Sequence, residues 1–548
     1  MKYLVTAALP YANNLPHVGN VAGSHLPADI FHRFLKIFGY ESYFVGGTDE
    51  HGSPIEVAAF KQGITPKELC DKYYVLHKKI YDFLKISYDI FSRTSNQTNH
   101  QITKEIFKKL LERGYIIERE IDMSYCENDK RFLPDRWVEG ICPYCKYEKA
   151  RGDQCENCGR LLDPIELIEP KCVICGSKVV FKKTKHLFFN LPKFAKKLEK
   201  WLSKKKYWKE NVLNYSLGFL KEGLKERAIT RDLSWGIKVP LEGYENKVFY
   251  VWFDAPIGYI SFSKELFEKI GKPELYEYFW IKKKGRIYHF IGKDNIVFHT
   301  IWWPAILMGA NLALPYNVGG MEYLNFENRK ISKSQNWGVF FEVDQDKISV
   351  KIKDKSYEIE PDYIRFYLSL ILPEKKDSNF VVKEFEEKIN SILIGNISNF
   401  VYRVLSFINK NFEGEIPSAK LSEEEKKILK EIKKMKKEIK EKVLNLEFKR
   451  ALEKIIELST LGNKYFQENE PWKADEEKKK RVLMFSANLV KDLAILLWPF
   501  IPNFSEKVFD MLDIEKFFFG SFKRVGKIEL KNKKLKYLEI IFKPLKLE

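Results

Sequence analysis

The sequence predicts an α/β chain in which a parallel-sheet domain is split by a cysteine-rich insertion and followed by an all-α helical bundle. Three observations predict it. Lys2–Ala8 reads as a buried strand, Pro10–Pro16 as a turn, 20–38 as a helix and Ser42–Gly46 as a second strand, which is how a βαβ unit begins. From about Glu118 to Lys183 the periodicity lapses and Cys, Pro and Gly accumulate, before strand-like runs return at Phe249–Phe253 and Ile287–Ile291. Beyond Glu386 the chain is rich in Glu and Lys, and Ile428, Ile432, Met435, Ile439 and Val443 recur at spacings of three and four, the stripe of an amphipathic helix.

At 548 residues, 45% apolar, the chain exceeds one small core and predicts two to four domains. Its longest apolar stretches, such as Ala494–Pro502, fall short of the roughly 18 residues that suggest a spanning helix, so no membrane span is predicted. A short apolar run, Leu4–Leu9, imitates a secretory signal until Pro10 and Asn13 interrupt it. A net charge of +19 favours a polyanionic partner such as nucleic acid, or reflects a lysine-rich proteome. Six of the eight Cys fall in C-x-x-C pairs or their neighbourhood between Cys142 and Cys175, a pattern of metal ligation in a reducing compartment, which predicts the cytoplasm.

Two polar segments carry the chemistry. Between first strand and first helix, His17-Val18-Gly19-Asn20 offers free backbone N–H groups and the positive end of a helix dipole to an anion. Gly19 permits close approach of a phosphate or base, and His17 can donate a hydrogen bond. Far downstream, Lys330-Ile331-Ser332-Lys333-Ser334 sets two lysines and two hydroxyls in a polar loop, a clamp for a polyphosphate. Each segment alone has a plain reading, a structural His in a turn and a solvated lysine run.

Together they resemble the HIGH and KMSKS signatures of class I aminoacyl-tRNA synthetases, with Asn20 where the first ends in His and Ile331 where the second has Met. The Asn20 variant resembles the archaeal and eukaryotic type of methionyl enzyme, and Ala8–Tyr11, Gly47–Gly52 and Trp252–Tyr259 are further similar to motifs of the methionyl-tRNA synthetases. The resemblance, which runs from Leu4 to about Pro502, implies a Rossmann-like nucleotide-binding domain that joins L-methionine to ATP as the adenylate and transfers it to tRNA(Met). It implies catalytic roles for His17, Asn20, Lys330 and Lys333, and an ATP site of His17, Gly19, Asn20, Gly292, Asp294 and Lys333. Leu9, Tyr11, Asp49, Trp252, Pro256, Tyr259 and His299 are implied to hold methionine. Aromatic walls suit a thioether, a carboxylate suits the α-ammonium, and Asp294 can accept from ribose hydroxyls. Mg²⁺ is expected with ATP, without an identifiable protein ligand.

Cys142, Cys145, Cys155 and Cys158 offer four thiolates at a spacing that suits one structural, tetrahedral Zn²⁺. An outer set, Cys126, Cys172 and Cys175, has Asp129 where a fourth thiolate would stand, which makes it either a weaker second site or a relict knuckle. In the helical end, Asn399 and Arg403 share a face and Trp472 follows Pro471. The resemblance implies that these three read the anticodon, by hydrogen bonding and stacking.

The expected division is 1–117 and 231–320 for the two halves of the catalytic domain, 118–230 for the insertion, 321–385 for a stem-contact region and 386–548 for the anticodon-binding bundle. The last forty-odd residues match nothing. A monomer is expected, alone or with a separate tRNA-binding module. Two rivals remain: a class I synthetase for another amino acid, and a non-catalytic zinc-ribbon RNA-binding protein.

Overall fold

A computed structural model describes residues 1–152, 155–158, 160, 162–333 and 335–547. Its centre is a parallel sheet of β1 (Lys2–Ala7), β2 (Glu41–Thr48), β3 (Ile90–Arg93), β4 (Arg286–Gly292) and β5 (Asn317–Met321), in the order β5-β4-β1-β2-β3. Leu4, Val5, Phe44, Val45, Ile287 and Phe290 are buried, the continuous apolar character of strands covered on both faces. β1 pairs with β2 on one side and with β4 on the other, so the strand order reverses at β1. The carboxyl ends of β1, β2 and β4 therefore frame the crevice in which open α/β sheets bind ligands.

The expected strand at 249–253 is replaced by a two-residue strand, Val248–Phe249, and a helical turn, Val251–Asp254. The Asp-Ala-Pro sequence explains the change. Pro256 follows immediately, and Trp252 and Asp254 must face different surroundings, one a cleft and the other the core.

Between β3 and β4 the chain builds a long antiparallel arm, Ile116–Cys126 paired with Val179–Phe189 in unbroken register. Both cysteine clusters lie at its far end, where Cys126 pairs opposite Val179. The arm's tip is not left free in solution: Trp137 meets Phe60 of helix Ser53–Gln62, and Arg131 pairs with Glu56 of the same helix at 3.6 Å.

After β5, which runs across position 320, come a hairpin sheet over 339–357 and helix Pro361–Leu370. The bundle follows with Asn399–Phe412, Glu423–Leu444, Phe448–Glu468, Glu476–Leu497 and Pro502–Met511. Helix Glu423–Leu444 shows why such a lysine-rich segment folds. Ser422 caps it in a capping box with Glu425, three Glu occupy the first turn, and Ile432, Met435, Ile439 and Val443 form one buried stripe. The segment Val382–Phe412 is long and apolar enough by length and composition to cross a membrane, yet it packs along the bundle through Leu393, Ile397, Phe400 and Val404. Past Met511 the chain is mostly irregular and runs back across the bundle, where Lys533–Lys534 pairs with Glu415–Ile416.

Sheet and bundle are joined by one buried ionic cluster. Asp29, on helix Leu26–Ile37, accepts from Arg33 at 3.0 Å and from Arg365 at 2.7 Å through one oxygen, and from Ser87 N at 2.8 Å through the other. Arg365 also donates to the carbonyls of Leu84, Pro499 and Phe500. Burial alone would raise the Asp29 carboxyl, but the two guanidiniums and Ser87 outweigh it and hold it at about 2. Asp29→Asn should therefore cost about 3–5 kcal/mol, because it strands two buried cations. The ionised carboxylate contributes in full above pH 4 and is lost as pH falls from about 4 through 2. Urea unfolding across that range should show the wild type losing its advantage; a gap between the two proteins that stays constant from pH 7 to pH 2 would contradict the assignment.

Candidate functional site

The first turn after β1 is locked by its own cap, which spends the N–H groups of Gly19 and Asn20 on His17, so the free backbone N–H groups expected here reduce to that of Val18. His17 caps the helix that begins at Val18: its Nδ1 accepts from Gly19 N at 3.0 Å, while Asn20 Oδ1 accepts from His17 N at 3.0 Å. With Nδ1 accepting, the ring proton sits on Nε2, which leaves a donor for an anion. Burial, with Lys333 adding to it, pulls this imidazole down to about 3, so it is neutral at pH 7. Asn20 spends its carbonyl oxygen on the cap and keeps the Nδ2 amide as its donor. A Cβ on Gly19 would stand 2.8 Å from the His17 ring, so only glycine tolerates this cap. Lys333 reaches across to donate to the Leu15 carbonyl and brings the distant loop onto the turn. Ser334 lies outside the described residues.

The turn opens into a cleft of about 440 Å³. One end is an aromatic chamber. Trp252 stacks on Phe298 with ring centroids 3.8 Å apart, and Tyr259 Oη lies 2.9 Å from His299 Nε2. His299 Nδ1 donates to the Asn295 carbonyl at 2.9 Å, so Nε2 accepts from the phenol. Burial holds this ring near 4, which keeps that tautomer at neutral pH. Leu9, Tyr11 and Pro256 complete the chamber wall.

Asp49 closes the chamber at the carboxyl end of β2. Its backbone is fixed on both sides, N–H to the Pro10 carbonyl at 2.8 Å and C=O to Ala12 N–H at 2.9 Å. Its Oδ1 is buried and has no hydrogen-bond partner among the described residues. Burial, then the nearby Asp254 carboxylate, raises Asp49 well above the usual carboxylate range. Asp254 is itself buried and held by His51 at 2.7 Å. A buried carboxylate without a partner is costly, and a ligand cation would relieve it.

The other end of the cleft is polar. Gly292 ends β4, Asp294 follows on the turn Lys293–Asn295, and both Lys330 and Lys333 reach this side. Two π-turns, Val21–His25 and Phe298–Trp302, set His25 and His299 on the wall, the kind of helical irregularity that collects at functional sites. The structure thus brings together in one cleft every residue that the sequence pointed to for catalysis and for the two small ligands. It adds Phe298 and Tyr323, which sequence reasoning missed, and behind the wall it pairs His51 with Asp254, one from each of two motifs that the sequence had singled out without linking them. Phe298 had a signal in its place one residue before His299; Tyr323 is a tertiary juxtaposition with no local pattern.

Two further clusters lie at the arm tip. Cys142, Cys145, Cys155 and Cys158 place their sulfurs within 4.8 Å of one another, with pairs at 3.5 and 3.9 Å. A tetrahedron with metal–sulfur bonds of about 2.3 Å has edges of about 3.8 Å, so the set fits one tetrahedral ion. Cys126, Cys172, Cys175 and Asp129 converge equally, with Asp129 Oδ2 3.2 Å from two of the sulfurs. Lys146 and Gly176, each next to a cysteine, take the left-handed conformation that turns a knuckle back. Either cluster could bind a metal ion.

In the bundle, Asn399 is exposed on helix Asn399–Phe412 and Arg403 lies one turn on, its guanidinium 5.3 Å over Phe466 and hydrogen-bonded to Gln467 at 3.1 Å. Trp472, 37% exposed, rests against Phe407 and Phe466. The aromatic and the guanidinium therefore share one apolar seat and present open faces side by side. Gln467 had no sequence signal, because its partner lies on another helix.

With this geometry in view, comparison with known proteins is specific. Residues 3–405 match the family model described as tRNA synthetases class I (M), and residues 416–526 that of the anticodon binding domain of methionyl tRNA ligase. The chain is 44% identical to the methionine–tRNA ligase of Pyrococcus furiosus, over 94% of this chain and 72% of that protein. It is 42% identical to that of Thermoplasma volcanium, over 96% and 95%. Among solved structures, the Mycobacterium tuberculosis methionyl-tRNA synthetase in complex with methionyl-adenylate shares the fold, with a TM-score of 0.78, 24% identity and 99% of each chain covered.

Proposed function

The chain belongs to the class I methionyl-tRNA synthetases, and from that premise we propose how its residues divide the work of activating methionine and charging tRNA(Met). The observation that carries the division is the buried, partnerless Asp49 oxygen on the wall of an aromatic chamber, with a lysine-closed phosphate turn at the other end of the same cleft.

The α-ammonium of methionine pairs with Asp49 and the Leu9 carbonyl, while Tyr11, Trp252, Pro256, Tyr259 and His299 enclose the thioether. An unbranched, polarisable chain suits such walls. Neutral His299 holds the Tyr259 hydroxyl and so fixes the ring against which the thioether packs. ATP lies along the polar end, its ribose on Asp294 and Gly292. Its phosphates meet the N–H of Val18, the Nε2–H of His17 and the side-chain amide of Asn20. The methionine carboxylate then attacks the α-phosphorus in line as pyrophosphate leaves. Lys330 and Lys333 take up the charge that develops on the leaving group, a contact realised mainly in the transition state. Mg²⁺ arrives with ATP as part of the substrate. The adenylate passes its acyl group to the terminal ribose hydroxyl of tRNA(Met), whose anticodon is held by Asn399, Arg403 and Trp472.

Zn²⁺ on Cys142, Cys145, Cys155 and Cys158 would keep the arm tip folded; the four-thiolate set leaves no open position for chemistry. The outer cluster, with an oxygen in place of the fourth thiolate, is the weaker seat. Thiolate ligation of this kind supports a reducing compartment, so we take the protein to act in the cytoplasm, as a monomer.

Pyrophosphate exchange across the twenty amino acids tests the whole reading: methionine alone should support it, and exchange driven by another amino acid would overturn it. Lys333→Ala should slow single-turnover adenylate formation by about 100-fold or more with methionine affinity little changed; a rate within about twofold of the parent would remove Lys333 from its role. Trp472→Ala should lower kcat/KM for tRNA by about 5- to 100-fold while sparing exchange. Equal damage to both would mean a misfolded bundle instead. Elemental analysis after mild chelation should find close to one zinc per chain, lost in Cys142→Ser; two ions equally resistant to chelation would sink the ranking of the two clusters.

A further inference from the structure

Asp294 is the exposed residue of a three-residue turn, a poor platform for an acceptor that has to meet ribose hydroxyls in one orientation. Its carboxylate is nevertheless held. Tyr323 donates its phenol to Asp294 Oδ1 from two residues beyond β5. The phenol itself is set on a rigid base: Tyr323 N donates to the Asp377 carboxylate at 3.0 Å, its carbonyl accepts from Ser378 N at 3.0 Å, and Glu322 N donates to the Pro373 carbonyl at 2.8 Å. Beside it, Lys293 pairs with Glu322 at 2.5 Å, and Glu322 also accepts from Asn211 at 2.7 Å.

The ring also has two lysines over it, Lys293 at 5.5 Å, which Glu322 already pairs, and a second from the clamp. The ammonium of Lys330, the first lysine of the clamp, lies 5.3 Å from the Tyr323 ring centroid, within cation–π range. One side chain thus touches the ribose acceptor through its hydroxyl and the phosphate loop through its face. Partial burial and the Asp294 charge both raise the phenol above its usual range, so it remains a donor at any working pH.

We propose that Tyr323 is a positioning residue for ATP, whose hydroxyl orients Asp294 toward the ribose and whose ring seats Lys330 for the phosphate loop. The proposal rests on the reading of Asp294 as the ribose acceptor. The hydroxyl fills one lone pair of Oδ1, which leaves Oδ2 and the remaining lone pair to accept from the 2′ and 3′ hydroxyls. Held in this way, the carboxylate does not have to be ordered when ATP binds.

The two functions separate by substitution in the full-length protein. Tyr323→Phe keeps the ring and removes the hydroxyl; Tyr323→Leu removes both. In pyrophosphate exchange, Tyr323→Phe should raise KM for ATP about fivefold, with kcat within about twofold and KM for methionine unchanged. The preference for ATP over 2′-deoxy-ATP and 3′-deoxy-ATP should shrink by about threefold or more, a ratio that general loosening of the fold would not move. Tyr323→Leu should add a further drop of about threefold in single-turnover adenylate formation at saturating ATP, through loss of the Lys330 seat. An unchanged KM for ATP and unchanged deoxy ratios in Tyr323→Phe would overturn the ribose role. Equal single-turnover rates in the two variants would overturn the loop role. Should Tyr323→Leu melt well below the parent, Lys330→Met in the wild-type and Tyr323→Phe backgrounds replaces it: an equal loss in both upholds a seat made by the ring, and no loss in either overturns it. Asp294→Asn serves as the control on the underlying reading, because deoxy ratios untouched there would mean that Asp294 itself does not hold the ribose.

Discussion

The carboxylate of Asp29 is the point on which the two halves of this molecule depend. It lies in the helix that follows the phosphate turn, and it is bound by Arg365 from a segment more than 300 residues away. Arg365 spends its remaining donors on the carbonyls of Leu84, Pro499 and Phe500, so a single guanidinium ties a catalytic helix, the end of helix Pro66–Phe83 and the last turns of the bundle. Such a cluster contributes little net stability compared with an apolar core of the same volume, but any partial arrangement leaves a buried charge without a partner. That asymmetry favours one relative placement of sheet and bundle, and the distance from the Trp472 face of the bundle to the cleft follows from it.

Within the sheet, the reversal of strand order at β1 does the corresponding work for the site. The loops after β1, β2 and β4 converge there, and each brings a different chemistry: N–H groups after β1, a carboxylate at the end of β2, and a glycine and a carboxylate after β4. None of these groups is near another in sequence. The Cys-rich arm can be inserted between β3 and β4 without disturbing this, because its two strands leave and return at one place, as the pairing of Ile116 with Phe189 records.

What was legible in the sequence is what local chemistry dictates. The glycine of the first turn, the apolar strands around the site, the thiolate spacing and the helical stripe from Ile428 to Val443 are all written in short windows, although the cap that makes Gly19 necessary is not. The expected strand at 249–253 fails for an equally local reason: a β-like run of Phe, Tyr, Val and Trp is turned into a helical start by the Asp-Ala-Pro that follows. What no window contains is partnership at long range. Arg365 reads as one more charge in an amphipathic helix until Asp29 is beside it, and Tyr323 reads as a loop aromatic until it reaches Asp294. The segment beyond Met511 has no periodicity to read, since it is held by the bundle it crosses and not by its own pattern; Lys491, buried in helix Glu476–Leu497, donates to the carbonyls of Arg524 and Lys527 and fixes it from beneath.

The protonation states of the cleft explain why the charge for catalysis is carried by a loop. His17 and His299 are buried and held near 3 and 4, so at neutral pH neither carries a positive charge; His17 offers its Nε2–H, while His299 spends its one N–H on the Asn295 carbonyl. Asn20, which stands where the HIGH signature ends in His, cannot supply one either. The cations that can face a polyphosphate in this cleft are thus lysines, and Lys330 and Lys333 sit on a segment that reaches the phosphate turn through Lys333 and Ile331. Positive charge built permanently into the turn would bind ATP, adenylate and pyrophosphate alike, and so would hold the product as firmly as it stabilised the transition state. Charge carried on such a segment can be strongest where negative charge develops and can withdraw afterwards. Uniform binding is thereby avoided, and the cost of keeping two imidazoles neutral is the price of a cleft that can release its pyrophosphate.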